Sequence, residues 1–279
     1  MPIRQVYSGE AGAASLAFVR RKLGNFSMHV IVTDDHEALS RLAADILVSE
    51  LIQRASPLFG CIAGNTPRRA YALFVQRVVR ERLPGSGLRH VGLNEWCGLG
   101  ATDDGSFNAA IAHDLLDPLG VAVDRRLAFN GLAEDCYAEC SRVRYELAAR
   151  GPIDLMILGL GVNGHVAFNE PGDTLAPHAH LAELADSTKR QHLAGDAIED
   201  LSQGMTLGFA DIMSSRRVVL LVSGEHKADL VARLMRQDVC TEFPASLLWT
   251  HPQAVLLCDR DAFSRCSEPV TNRHAPGSS

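Results

Sequence analysis

Ile153-Asp154-Leu155-Met156-Ile157-Leu158-Gly159-Leu160-Gly161-Val162-Asn163-Gly164-His165-Val166-Ala167-Phe168-Asn169-Glu170-Pro171-Gly172 runs a short apolar segment directly into a glycine-rich turn. Ile153–Leu158 has the length and bounding residues of a strand buried on both faces. The arrangement recurs outward in both directions. Met28–Val32 is followed by Asp34-Asp35, a helix-start signal, and then by Leu39, Leu42, Ala43, Ile46, Leu47 and Leu51 at helical spacing. Leu58–Ala63 leads into Gly64-Asn65-Thr66-Pro67, where Pro67 suits the first turn of a helix running to about Leu83. Pro84-Gly85-Ser86-Gly87 breaks that helix, and Arg89–Leu93 is the next strand. Arg217–Val222 ends at Gly224 and a helical segment from His226, and Ala254–Cys258 is the last strand.

Strands separated by helices require crossover connections. The chain is therefore expected to be α/β, a Rossmann-like, largely parallel sheet with helices on both faces. Ligands in such folds bind beyond the carboxyl ends of the strands. That directs attention to Gly64-Asn65-Thr66, Asn94-Glu95-Trp96, Gly159–Gly172 and Ser223-Gly224.

Composition narrows the function classes. The chain has 279 residues, 47% hydrophobic and 22% charged, with a net charge of −6. Those proportions are those of a globular protein and exclude disorder, collagen-like repeats and coiled coil as the main architecture. The acidic balance argues against nucleic acid as a partner, so Arg77, Arg80 and Arg82 read as a solvated helix face. No stretch reaches the roughly 20 apolar residues of a membrane span, and Met1–Gln5 lacks the apolar core of a signal peptide. A cytoplasmic location is expected, with no membrane partner. The seven cysteines are an odd, scattered set that reads as reduced structural thiols. Cys136 and Cys140 are four apart on an expected helix but lack a second ligand pair, so no metal is expected. Residues 1–266 read as one domain, and 267–279, rich in Ser, Pro, Asn and Gly, as a flexible tail.

Gly159, Gly161 and Gly164 form a Gly-x-Gly-x-x-Gly pattern, read here as room for tight turns and close approach to a ligand. A dinucleotide site is rejected. The pattern falls in the second half of the chain, and Pro171-Gly172 interrupts the helix that would cradle a pyrophosphate. His165 and Glu170, five residues apart, add an acid/base pair, since imidazole titrates near neutrality and a carboxylate can set its tautomer.

The whole stretch resembles the signature of the glucosamine-6-phosphate deaminase/isomerase family, Gly-x-Gly-x-Asp-Gly-His-x-Ala-Phe-Asn-Glu-Pro-Gly. The sibling 6-phosphogluconolactonases share Asp-Gly-His but lack Asn-Glu-Pro, so Asn169-Glu170-Pro171 favours the aminosugar side. The likeness extends through Val30–Thr33, Gly64–Pro67, Leu93–Trp96, Thr206–Gly208 and Ser223–Lys227. Asn163, Trp96 and Pro244–Trp249 resemble the galactosamine-6-phosphate branch.

The resemblance implies conversion of a 2-amino-2-deoxyhexose 6-phosphate to a ketose 6-phosphate and ammonia, with no cofactor. It assigns ring opening to His165 and its carboxylate partner to Glu170. Phosphate would be held by Gly64, Asn65 and Thr66 at a helix start, by Thr174 and by Lys227. The partner implied is a small-molecule sugar phosphate; self-association stays open.

Two positions depart from the pattern. The family's C2 base is the Asp of an Asp-Glu pair, which here reads Asn94-Glu95. A carboxamide has no basic lone pair for a carbon-bound proton. Asn163 replaces the Asp before Gly-His, which keeps a hydrogen-bonding side chain but removes a charge. Three readings stay open: Glu95 or Glu170 as base, a sugar-phosphate binder with little turnover, or lactone hydrolysis with His165 activating water. The segment after Gly172 offers His178, His180, Lys189 and Arg190 where the glucosamine enzymes carry phosphate arginines. Trp96 reads equally as a wall of the sugar site or as core, and Trp249 as core.

Overall fold

The computed structural model describes residues 17–19, 28–192 and 201–266; Met1–Gln5 and the tail expected at 267–279 lie outside the described residues. In chain order the strands are β1 (Ala17–Val19), β2 (His29–Thr33), β3 (Leu58–Cys61), β4 (Arg89–Gly92), β5 (Asn94–Trp96), β6 (Arg126–Leu127), β7 (Leu155–Gly159), β8 (His180–Glu183), β9 (Gln203–Thr206), β10 (Val218–Val222) and β11 (Ala254–Asp259). The helices are α1 (His36–Gln53), α2 (Asn65–Glu81), α3 (Phe107–Ile111), α4 (Cys136–Arg150), α5 (Asp186–His192), α6 (Phe209–Met213), α7 (Ala228–Leu234) and α8 (Arg260–Phe263).

The main sheet has the order β1-β2-β11-β10-β7-β3-β4-β6. Its pairings are parallel except β1 against β2. Helix cover on both faces explains why these strands read as unbroken apolar runs. Along β10, Val218, Leu220 and Val222 pack into one core cluster while Val219 and Leu221 pack into the other. Each such side chain is worth roughly 1.5–3 kcal/mol when fully buried. Local signals start the helices: Asp35 accepts from Ala38 N at 2.7 Å ahead of α1, and Asp135 accepts from Tyr137 N at 2.8 Å ahead of α4.

From β3 the chain moves outward to β4 and β6, then returns to β7 on the other side of β3 and moves outward to β10 and β11. The β3/β7 junction is therefore the switch point, where loops from adjacent strands diverge and leave a crevice. It brings the turn after β3 (Gly64-Asn65-Thr66) beside the turn after β7 (Gly159–His165).

A second sheet, β5-β9-β8, is antiparallel and was not expected. It pairs Asn94 with Thr206 and gives the Asn94-Glu95-Trp96 segment a fixed place. Trp96 is 1% exposed and packs on Phe168 and Phe107, with ring centroids 5.0 and 5.8 Å away, so it is core rather than a pocket wall. Trp249 is core as expected, its Nε1 donating to Leu234 O at 2.7 Å.

Candidate active site

A cavity of about 980 Å³ opens at the carboxyl ends of β3, β4, β7 and β10. Gly64, Asn65, Thr66, Asn94, His165 and Lys227 all line it. Sequence positions spread over more than half of the chain thus converge on one space.

Two glycines of the signature make room for protein rather than for ligand. A Cβ on Gly161 would lie 2.2 Å from the His165 ring, and Gly164, at φ 93°, would drive a Cβ to within 2.1 Å of Phe243. The close approach expected of a ligand is that of His165 itself. Ala167 also lines the cavity and adopts φ 51°, a left-handed conformation that costs a non-glycine residue about 1 kcal/mol or more. Asn169 ties this turn to the second sheet, donating through Nδ2 to Val166 O at 3.0 Å and Leu207 O at 2.9 Å.

His165 is 4% exposed. Its Nδ1 lies 2.8 Å from Asn163 Oδ1, and its backbone N–H donates to the same oxygen at 3.0 Å. Asn163 Nδ2 donates to Glu170 Oε2 at 2.7 Å. A backbone N–H can only donate and a carboxylate oxygen accepts, so both contacts orient the amide the same way. The His165 proton therefore resides on Nδ1, leaving a lone pair on Nε2. Glu170 does not line the cavity. Its Oε1 lies 3.9 Å from His165 Nδ1, and its influence reaches the ring through Asn163. Burial, reinforced by the Lys227 ammonium, lowers the His165 pKa to about 4, so the ring is neutral near pH 7.

Thr188, on α5 and fully buried, brings Oγ1 to 3.2 Å from His165 Nδ1. Nothing in the local sequence marked it, because the contact spans 23 residues.

Glu95 is expected as a catalytic carboxylate, but the structure gives it other work. Its Oε2 accepts from Ser106 Oγ at 2.7 Å and Asn108 N at 2.9 Å, and its Oε1 from Trp96 N at 2.9 Å and Phe107 N at 3.2 Å. It is fully buried, does not line the cavity, and serves the first turn of α3. Burial pushes its pKa up against the pull of those four donors. Asn94 does line the cavity. The loop that follows β5 adds Asp103 and Asp104 to the same lining, carboxylates that carried no motif in the sequence.

Elsewhere in the lining, α2 starts at Asn65 with no side-chain cap, so its first-turn N–H groups offer the cavity a partial positive charge. Lys227 Nζ donates to Leu160 O at 2.8 Å, and burial lowers its pKa from the ordinary lysine value. Asp259, another residue without a sequence signal, holds the turn that carries Lys227: it accepts from Gly224 N at 3.0 Å and from the Ser223 hydroxyl. Thr174 is exposed on the segment after Gly172 and is not among the residues that line the cavity. Neither are Lys189, paired with Asp186 at 3.5 Å, and Arg190, which is exposed.

The structure brings Cys97 Sγ to 3.0 Å from Cys136 Sγ, a neighbour the helix spacing did not reveal. Among the described residues no group of three or more His, Cys, Asp or Glu side chains is arranged to hold a metal ion. No described helix is long and apolar enough to cross a membrane.

Residues 35–257 match the sequence family described as glucosamine-6-phosphate isomerases/6-phosphogluconolactonase. A glucosamine-6-phosphate deaminase of Geobacillus sp. (strain WCH70) is 33% identical over 239 residues, 85% of this chain and 95% of that protein. AgaI of Escherichia coli (strain K12), whose name describes a deaminase, is 34% identical over 224 residues, 80% of this chain and 89% of its own. Among solved structures, a monomeric glucosamine-6-phosphate deaminase superposes with a TM-score of 0.82 at 30% identity, covering 85% of this chain and 99% of the other. With the signature residues gathered around one cavity and most of its length matched, this chain belongs to the glucosamine-6-phosphate isomerase/6-phosphogluconolactonase family.

Proposed function

We propose that the chain is an aminosugar-6-phosphate deaminase/isomerase that converts galactosamine 6-phosphate, or glucosamine 6-phosphate, and water to a ketose 6-phosphate and ammonia, the water supplying the C2 carbonyl oxygen as the amine leaves. The observation that carries this reading is a neutral His165, its Nδ1 proton held by Asn163, in a cavity also lined by Lys227 and the start of α2. Nε2 takes the anomeric hydroxyl proton and returns it to the ring oxygen, which opens the pyranose. The phosphate is held by the α2 N-terminus at Gly64-Asn65-Thr66 and by Lys227.

The C2 proton must then reach a carboxylate that lines the cavity. Asn94 has none, while Glu95 and Glu170 lie outside the lining. Asp103 and Asp104 line it and, among the described residues, are not paired with an arginine, so this step is assigned to that pair. Asp103 Oδ2 accepts from Gly100 N at 2.7 Å, which steadies the loop. The seven free cysteines support a reducing, cytoplasmic setting, and we read residues 1–266 as one domain.

Ammonia release from the two aminosugar phosphates, assayed in parallel with purified protein, tests the reading, and the faster substrate identifies the branch. Turnover of 6-phosphogluconolactone without ammonia release would replace it with lactone hydrolysis, a reaction in which no C2 proton moves.

A further inference from the structure

We infer that Arg68, on α2, supplies the guanidinium that grips the substrate phosphate, a role the family resemblance gives to arginines after Gly172. The inference rests on the phosphate-binding half of the proposed function and not on deamination.

Between residues 172 and 202 the permanent cations are Lys189 and Arg190, and neither lines the cavity. A phosphate monoester carries about −1.5 to −2 charges at pH 7. Lys227 and an α2 N-terminus worth about half a charge come close to balancing that, so a further group is needed for direction more than for charge. Arg68 lies in the first turn of α2, next to the N–H groups that would face the phosphate, and it lines the same cavity.

Its direction is set from across the cavity. Arg68 Nε donates to Asp114 Oδ2 at 3.0 Å. Asp114 and His113 reach the cavity from a π-helical turn, Ala112–Leu116, whose wider winding is a frequent mark of functional sites. With Nε committed, both Nη groups of Arg68 remain without a partner among the described residues. Its side chain is 58% exposed at the rim, so it can close on an incoming anion without displacing core packing. Because Asp114 offsets its charge, Arg68 contributes directed donors, a planar fork matched to two phosphate oxygens, more than net charge.

The test measures inorganic phosphate binding by calorimetry, and KM for the sugar 6-phosphate against the unphosphorylated sugar. Arg68→Ala is expected to weaken phosphate binding about 10–100-fold and to raise KM for the phosphorylated sugar alike, with kcat changed far less. Arg68→Lys, which keeps the charge and loses the fork, should recover only part. Unchanged phosphate affinity in Arg68→Ala would overturn the inference. So would loss of binding in a Lys189→Ala/Arg190→Ala double variant with Arg68→Ala unaffected. If the wild-type protein releases no ammonia yet binds phosphate through Arg68, the inference stands and the deaminase reading falls.

Discussion

Replacing Asn163 with Asp tests how charge is delivered to His165. In the wild-type protein the nearest carboxylate oxygen, Glu170 Oε1, lies 3.9 Å from Nδ1, and a neutral amide oxygen accepts the proton at 2.8 Å. The variant puts two carboxylates where Asn163 Nδ2 and Glu170 Oε2 were 2.7 Å apart. They cannot both ionise, so the pair holds one proton and one negative charge. The net charge behind the ring is thus unchanged, but its centre moves to the atom hydrogen-bonded to Nδ1. A neutral hydrogen bond is worth about 1 kcal/mol net and one to a charged group about 1.5–3 kcal/mol. The gain of about 1–1.5 kcal/mol favours the imidazolium, which at 1.36 kcal/mol per unit is about one pKa unit. His165 should therefore titrate near 5 instead of about 4. NMR titration of the His165 ring, identified by loss of its signal in His165→Gln, reads this without any need for turnover. Where ammonia is released, the acid limb of kcat/KM should rise by the same amount. A ring that titrates at an unchanged or lower pH would refute the placing of the pair's negative charge on the atom that meets Nδ1.

Thr188→Val removes the second oxygen near Nδ1 and keeps the shape; it should lower the acid-limb pKa and slow turnover a fewfold, with Thr188→Ser restoring both, whereas equal profiles for the two variants would deny the contact a role. Glu95→Gln turns an amide NH₂ toward backbone N–H groups that cannot reverse; with partial relief from burying a charge, a loss of about 2–4 kcal/mol is expected in denaturant unfolding, and an unaltered midpoint would contradict the capping role. Asp103→Asn/Asp104→Asn should cut ammonia release by about 10²-fold or more, and Asn94→Asp added to that background should restore part of it; full activity in the double variant would remove the pair from the C2 step. His90 and His165 both have pKa values lowered to about 4 by burial, so the unfolded chain binds more protons between pH 6.5 and 4. Stability should fall as pH drops through that window, by about 3 kcal/mol per histidine, and a flat pH dependence there would argue against neutral burial of both rings.

The strand and helix pattern was legible because its signals are local. Leu155–Gly159, Val218–Val222 and Ala254–Asp259 are buried on both faces and so read as apolar runs, and Asp35 and Pro67 mark helix starts a residue or two from where they occur. From those runs the parallel, helix-covered sheet and the placing of a site at its carboxyl ends follow. The segments that hold Gly64–Thr66, Asn94 and His165 stand out because each follows a strand of the parallel sheet, and the family resemblance adds their roles and Lys227.

What stayed hidden depends on residues far apart in the chain. β5, β8 and β9 are three or four residues long and gain order from pairings such as Asn94 with Thr206, for which no local periodicity exists. The same convergence turns Glu95 from a candidate base into a cap for α3, interposes Asn163 between His165 and Glu170, and brings Thr188 to the imidazole. Local sequence sets which groups are available and which segments are strands. Packing between distant segments sets which oxygen each nitrogen meets, and so which carboxylates are spent on structure and which are left to the cavity.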